Sequence, residues 1–342
     1  MDKLRVGLIG CGAITIHRHA PEYAMNPKAD IAAFCDLVQE RADKLAAEYG
    51  GKGYTSYEEM LVSEGLDAVS VCTSNADHAK VSIAALRHGV HVLCEKPMAV
   101  SETECQAMIE AAQENNAFLM IGHNQRLMPA HVKAKELLQS GMLGRVLTFR
   151  TAFGHPGPEG WSVEGKEGWF FRKNRAFVGA MGDLGVHKAD LIRWLLADEV
   201  AEVGAFVDTL HKEGTDVDDN AICILRMRSG AIGTLAASWT YYRGEDNSTV
   251  LYCENGVIKI GTDPVHQVIV ELRNGHVERH ETGAIATNDG QTHSGVIDAF
   301  VSAVLAGMPP AISGEEGRRS LRVILAALES AETGQFVKVR QD

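Results

Sequence analysis

The first 122 residues alternate between short apolar runs and longer amphipathic stretches. The apolar runs are 4–9, 31–35, 68–72, 91–94 and 118–121. They contain few polar residues, as strands covered on both faces do. The stretches 38–49, 57–63, 77–88 and 102–116 carry apolar residues at helical spacing. Strand and helix in alternation, joined by short connections, predict right-handed crossovers and a doubly wound parallel sheet.

After Gly122 the rhythm changes. A helix over 130–139 leads into a strand over 146–153, then into the Gly-rich aromatic loop GHPGPEGWSVEGKEGWF. A helix over 183–196 follows. Ser229-Gly230, Asn255-Gly256 and Asn274-Gly275 then punctuate several strands. Such pairs tolerate the positive φ of tight hairpins. Helices over 294–306 and 315–333 close the chain. This half reads as a largely antiparallel sheet with helices on one face. The chain is thus expected to be α/β, with domains over 1–122 and 123–342 and a ligand cleft between them.

The stretch VGLIGCGAITIHRHA gives the first half a chemistry. Gly10 and Gly12 follow a predicted strand and precede a predicted helix, the setting of a dinucleotide-binding turn. The first glycine allows the turn, and the second lets the backbone approach a pyrophosphate. The helix end, with Ala13 and Ile14, offers free N–H groups. Thr15 stands where a third glycine is usual. Asp36 ends the next strand, 24 residues beyond Gly12. A carboxylate there accepts both adenosine ribose hydroxyls and repels a 2′-phosphate, so NAD is favoured over NADP. A strand-ending aspartate is the plainer reading of Asp36 taken alone.

Composition narrows the partners. The formal net charge of −12 argues against nucleic acid and against anionic membranes. The seven cysteines form no CxxC pair and mostly sit in apolar runs, so they read as reduced and buried. The chain enters a strand almost at once, without a signal-peptide pattern, and no apolar run approaches membrane-spanning length. A cytoplasmic protein is expected. The histidines show no HExxH or comparable spacing, so no metal is expected. Nor is there a GxSxG elbow.

Ligands of open α/β sheets bind beyond the carboxyl ends of the strands. Those ends read CTSNADH, CEKP and GHNQR, and GAMGDLGVHKADLIRWLL lies farther on. Here the chain resembles the Gfo/Idh/MocA family, the glucose–fructose oxidoreductase and inositol dehydrogenase group. The resemblance covers nearly the whole length. It rests on GLIGCGAI, Asp36, TSNADH, Glu95-Lys96-Pro97, NQR, and Asp183 through His187 in that order. It implies a Rossmann domain followed by a C-terminal α+β domain with a large open sheet. That second domain would bind substrate and mediate homo-oligomerisation as a dimer or tetramer. It also implies reversible hydride transfer at a secondary hydroxyl of a sugar, inositol or related polyol. Ser74, where the family often has Pro, and GAMG, in place of an all-glycine run, are departures.

By the resemblance, Lys96, Asp183 and His187 occupy the catalytic positions. Imidazole titrates near neutrality, which suits His187 as the base. Lys96 would stabilise developing alkoxide. Asp183, one helical turn before His187, would bind a neighbouring hydroxyl, orient His187, or do both. Asp190 reads as a surface or helix-pairing residue. Without the family match each has an ordinary alternative: a loop charge, a helix cap, a structural histidine. Pro97 raises the expectation of a cis peptide.

The expected cofactor wall is Gly10, Gly12, Ala13, Ile14, Asp36, Arg41, Thr73, Asn75, His78, Glu95, Lys96 and Gln125. Substrate candidates, beside Lys96, Asp183 and His187, are Arg126, His155, Trp161, Trp169, Arg172 and Tyr241. Aromatic faces suit sugar rings, though each has a packing alternative. Two other classes compete with a freely turning-over dehydrogenase. One is a glycosidase or sugar–sugar oxidoreductase that retains its NAD. The other is a non-catalytic NAD-binding regulator, against which the complete Lys96, Asp183 and His187 set speaks.

Overall fold

The computed structural model describes residues 3–283, 285 and 293–341. Its first half runs β1 (Leu4–Ile9), α1 (Ala20–Met25), β2 (Ala29–Cys35), α2 (Gln39–Tyr49), β3 (Lys52–Tyr54), α3 (Tyr57–Ser63), β4 (Ala68–Val71), α4 (His78–Arg87), β5 (His91–Cys94), α5 (Glu102–Glu114) and β6 (Leu119–Ile121). The strands form a parallel sheet in the order β3-β2-β1-β4-β5-β6, the doubly wound arrangement expected. β4 is buried at every residue, which is why it reads as a continuous apolar run. β3 was not anticipated. It is an edge strand of three residues, exposed or half-buried, so no hydrophobic pattern announces it. Ser56 and Ser101 cap α3 and α5, their hydroxyls accepting the Glu59 and Glu104 N–H groups.

The second half runs α6 (Pro129–Gln139), β7 (Val146–Gly154), α7 (Lys173–Ala176), α8 (Val186–Leu196), β8 (Val200–Asp208), β9 (Asn220–Met227), β10 (Ile232–Ser238), β11 (Thr249–Cys253), β12 (Gly256–Ile260), β13 (Val268–Leu272), β14 (Val277–His280), α9 (Val296–Ala306), α10 (Gly314–Thr333) and β15 (Val337–Lys338). Its nine-stranded sheet is antiparallel except where β7 pairs with β10. The three anticipated hairpins join β9 to β10, β11 to β12 and β13 to β14. β9 alternates buried and exposed residues along its length. One face packs under α6, α8 and α10; the other leaves Phe206, Ile222, Ile224 and Ile232 exposed. The two-residue β15 pairs with β8 and was also not foreseen.

The halves are packed tightly. α10 returns to α5 and β6, and the Ile121 N–H donates to the Ile312 carbonyl. Glu22 on α1 accepts from the Ser294 N–H and hydroxyl ahead of α9. The Rossmann sheet and the large sheet thus form two walls of fixed relative position. No helix among the described residues is long and apolar enough to cross a membrane.

Candidate active site

The dinucleotide turn begins where β1 ends. Gly10 has φ of 94°, and a Cβ there would meet the Cys72 carbonyl oxygen at 2.4 Å, so only glycine makes this turn. A Cβ on Gly12 would meet no protein atom within 4 Å. A helical run starts at Ala13, and its first N–H groups face that open space. Thr15, in place of a third glycine, donates its hydroxyl to the Gly10 carbonyl, and the chain widens into a π turn over Thr15–His19. Asp36 flanks the opening. Its Oδ2 accepts the Cys11 N–H at 2.8 Å and its Oδ1 the Val38 N–H at 2.9 Å. Each oxygen keeps a lone pair for a ribose hydroxyl. Open glycine turn, helix end and carboxylate fit NAD, with pyrophosphate at Gly12 and Ala13 and ribose at Asp36.

From this turn a cleft of about 460 Å³ runs between the two sheets. Every residue of the expected cofactor wall borders it, as do His155, Trp161, Trp169, Asp183 and His187. Arg41 closes the adenosine end, its Nη1 3.0 Å from Glu164 Oε1 in the aromatic loop. Several wall residues also brace the strand ends. The His78 ring lies between the Pro97 and Thr73 carbonyl oxygens, at 2.8 and 3.2 Å. Asn75 Nδ2 donates to the Ala176 carbonyl, and Gln125 Nε2 to Asn247 Oδ1. Ser74 donates to Asp77 and accepts from Arg175 Nε, so the departure from Pro is absorbed by a hydroxyl bridge.

The far end gathers the catalytic candidates. Lys96–Pro97 is a cis peptide. Lys96 Nζ donates to Asp183 Oδ1 at 2.9 Å and to the Asp183 carbonyl at 2.8 Å. Trp239 Nε1 donates to Asp183 Oδ2 at 3.1 Å. Burial opposes ionisation of Asp183, but Lys96, His155 and the Lys96 and Trp239 hydrogen bonds outweigh it and hold its pKa below the ordinary value. Asp183 thus holds Lys96; no hydrogen bond joins it to His187 among the described residues. The His187 ring packs on Phe153 at 5.7 Å. Its Nδ1 is buried without a partner. Burial, then the neighbouring Lys96, His123, Arg18 and Lys188, hold its pKa well below 6.5, so it is a neutral base at pH 7. His155 Nδ1 accepts the Gly157 N–H at 2.9 Å, and its Nε2 lies 3.9 Å from Asp183 Oδ2.

Both walls here depend on helix detail. Asp183 lies in a π turn, Met181–Gly185, that leads into α8. The wider turn brings Asp183 and His187 to the same cleft, the functional use common for π bulges. Asp218 anchors this turn, accepting the Gly179 and Met181 N–H groups at 2.7 and 2.8 Å. A Cβ on Gly179 would meet the Asp218 carbonyl oxygen at 1.9 Å, so this glycine of GAMG permits the contact.

Three substrate candidates lie elsewhere. Arg126 is buried behind the wall, where its guanidinium donates to both Asp190 oxygens at 2.7 and 2.6 Å and to Glu316 at 2.6 Å. Its carboxylates come from distant helices, which spacing could not foresee. Asp190 is correspondingly buried, not on the surface. Arg172 faces outward, donating to the Gly214 carbonyl. Tyr241 packs against Gly154, where any Cβ would strike its ring, and does not border the cleft. Sequence reasoning in turn missed Trp239, Asp218, Arg175 and His19. Only the two adjacent acids of VDDN, just before a strand, hinted at Asp218. No group of three or more His, Cys, Asp or Glu is placed to hold a metal among the described residues.

Comparison with known proteins places this geometry. Residues 4–123 match the oxidoreductase family with an NAD-binding Rossmann fold, and residues 131–259 match the GFO/IDH/MocA C-terminal domain. The 1,5-anhydro-D-fructose reductase of Ensifer adhaerens is 31% identical over 343 residues, 98% of each chain. The myo-inositol 2-dehydrogenase of Thermotoga maritima is 29% identical over 346 residues, 99% of each. Levoglucosan dehydrogenase, solved with NADH and levoglucosan, superposes over the whole of both chains with a TM-score of 0.87 at 25% identity. The chain belongs to the Gfo/Idh/MocA family of NAD-binding oxidoreductases.

Proposed function

We propose that this Gfo/Idh/MocA oxidoreductase is an NAD-dependent dehydrogenase acting reversibly on a secondary hydroxyl of a sugar, inositol or related polyol. The observation that carries this reading is the Lys96–Asp183 pair beside a neutral His187, at the opposite end of the cleft from Asp36. NAD, when bound, supplies the hydride acceptor. His187 takes the hydroxyl proton, for which a neutral imidazole is required. Lys96 donates a hydrogen bond to the same oxygen and stabilises its developing negative charge. Asp183 fixes the Lys96 ammonium and keeps it from drifting along the cleft. Trp161 and Trp169 offer ring faces to the apolar side of a sugar. The relatives' names, an anhydrosugar reductase and an inositol dehydrogenase among them, support the substrate class.

The test is absorbance of reduced nicotinamide with NAD and, separately, NADP, across inositols, aldoses, anhydrosugars and glycosides. One substrate that drives reduction, with turnover about 100-fold lower in Lys96→Ala or His187→Ala and NADH binding kept, is the expected result. Near-wild-type rates in those variants would remove the assignment. One observation favours a second reading, that NAD is retained between half-reactions: the aromatic loop lies over the cleft and is tied to Arg41 through Glu164. NAD released only on denaturing the purified protein would support it.

The exposed face of the large sheet supports a homo-oligomer. Phe206 and Ile222 are cross-strand neighbours there, and the face continues through Ile224 and Ile232. An apolar surface of this kind is ordinarily covered; analytical ultracentrifugation would give the subunit count. The seven unpaired cysteines, all buried, support a reducing compartment such as the cytoplasm.

A further inference from the structure

The wall of the cleft carries a cation that the proposed reaction does not use. Arg18 lies on the π turn Thr15–His19, one helical turn beyond Ile14, and both border the cleft. Its side chain is 7% exposed. Its Nε has no hydrogen-bond partner. Among the described residues the one carboxylate oxygen paired with it, Glu95 Oε1, stands 4.0 Å from Nη1, too far for a hydrogen bond.

Glu95 is already engaged. His19 Nε2 lies 2.9 Å from the same Oε1, and the Lys96 N–H donates to Oε2 at 3.2 Å. Burial of His19 opposes its protonation, but Cys72 and Glu95 raise its pKa to about 10. His19 therefore balances Glu95 before Arg18 is counted. Asp183 is likewise held by Lys96. His19 and Lys96 thus occupy the Glu95 and Asp183 carboxylates, and the Arg18 guanidinium is left without a hydrogen-bonded one. A guanidinium offers five donors in a planar fork shaped for a carboxylate. Burying one without such a partner is unfavourable.

Position selects among anions. The pyrophosphate of the cofactor is served by the glycine turn and the helix start, and Arg18 lies deeper, beside Glu95 and Lys96. It is near enough to His187 to oppose its protonation. Glu95, 4.0 Å from its Nη1, directly precedes Lys96 in the chain, which places Arg18 on the reacting side of the turn.

We propose that Arg18 is a carboxylate-recognition residue and that the substrate is an acidic polyol, a sugar acid whose carboxylate is taken by the Arg18 guanidinium while Lys96 and His187 handle its hydroxyl. This rests on the dehydrogenase reading above and narrows its substrate class. The carboxylate is a handle and is not transformed: the carbinol carbon loses a hydride to NAD and the oxygen loses its proton to His187. A carboxylate seated there also offsets the positive charge that disfavours a proton on His187, which makes the base stronger only when the acid is bound.

The experiment is calorimetric titration of the NADH-bound protein with two matched pairs, D-glucuronate against D-glucose and D-gluconate against D-glucitol. At least one acid should bind about tenfold or more tightly than its neutral partner. Arg18→Gln should remove that preference while NADH affinity stays within about twofold, and Arg18→Lys should keep part of it. Three results would overturn the proposal: neither acid preferred by the wild type, equal losses for acid and neutral partner in Arg18→Gln, or a tenfold loss of NADH affinity in that variant. Binding does not require turnover. An Arg18-dependent acid that yields no reduced nicotinamide with the NAD form would therefore keep the recognition site and remove the dehydrogenase reading.

Discussion

Asp183→Asn keeps the shape of the side chain and removes one charge, so it isolates what the Lys96 pair is worth. Oδ1 stands 2.9 Å from Lys96 Nζ, and the two side chains are 11% and 15% exposed. Unit charges at that separation attract by about 6 kcal/mol at an effective dielectric of about 20. Desolvation of both groups takes back a large part, so that figure is a ceiling. An amide has one oxygen where the carboxylate has two, so either Lys96 or Trp239 would face an NH₂ group. The Asp183 main-chain oxygen still accepts from Lys96. Breaking a buried pair costs about 3–5 kcal/mol, and the surviving acceptor and the open cleft favour the lower end, about 3 kcal/mol. Urea unfolding of the two proteins at pH 7 measures it.

The pH dependence of that gap has a definite sign. The folded pKa of Asp183 is depressed. Its contribution is therefore fully present above the unfolded value of about 3.9, and it is lost as pH falls through the lower folded value. The gap between wild type and variant should hold from pH 7 to 5 and close in stronger acid. With its ammonium no longer fixed, Lys96 stabilises alkoxide poorly, and kcat/KM should fall about 100-fold. NADH affinity should stay within about threefold. A gap below about 1 kcal/mol at pH 7, or kcat/KM within about threefold of wild type, would refute the reasoning.

Three further outcomes are expected. Because burial and neighbouring cations depress His187, kcat/KM for oxidation should not fall on the acid side until well below pH 6.5; an acid limb centred at 6.5 or above would point to another base. Asp36→Ala should raise kcat/KM for NADP relative to NAD about tenfold, since it removes the charge facing a 2′-phosphate and leaves Arg41 nearby. An unchanged ratio would mean that another group reads the ribose. Arg126→Met takes the two-pronged partner from buried Asp190, leaving it the Ser320 hydroxyl at 2.8 Å and Arg193 at 3.8 Å, and should cost about 3 kcal/mol of stability with substrate KM within about twofold; a tenfold change in KM at full stability would return Arg126 to the substrate.

How much was legible beforehand divides along the range of the interactions. Strands, helices and hairpins are set by neighbours a few positions away, so apolar runs, helical spacing and Asn-Gly pairs announced them. The turn at Gly10 is local in the same sense, because its positive φ excludes other residues. Strands as short as β3 and β15 gave no signal, since pairing to a longer neighbour makes them strands, not their own pattern. Lys96, Asp183 and His187 were found through the order of their motifs, which reports ancestry.

What only the tertiary structure decided is where each charge ends. Arg126, by the family resemblance, and Arg172, from the loop after Phe153, were expected at the substrate, but one meets Asp190 and Glu316 from distant helices and the other faces outward. Asp183, one turn from His187 in sequence, serves Lys96 from the other sheet instead. Arg18 carries no signal in the sequence; folding buries it beside a carboxylate that His19 already holds. Backbone geometry is a short-range property of the chain. The partner of a charge is a long-range one, chosen by whichever acid or base the packed core brings within 4 Å.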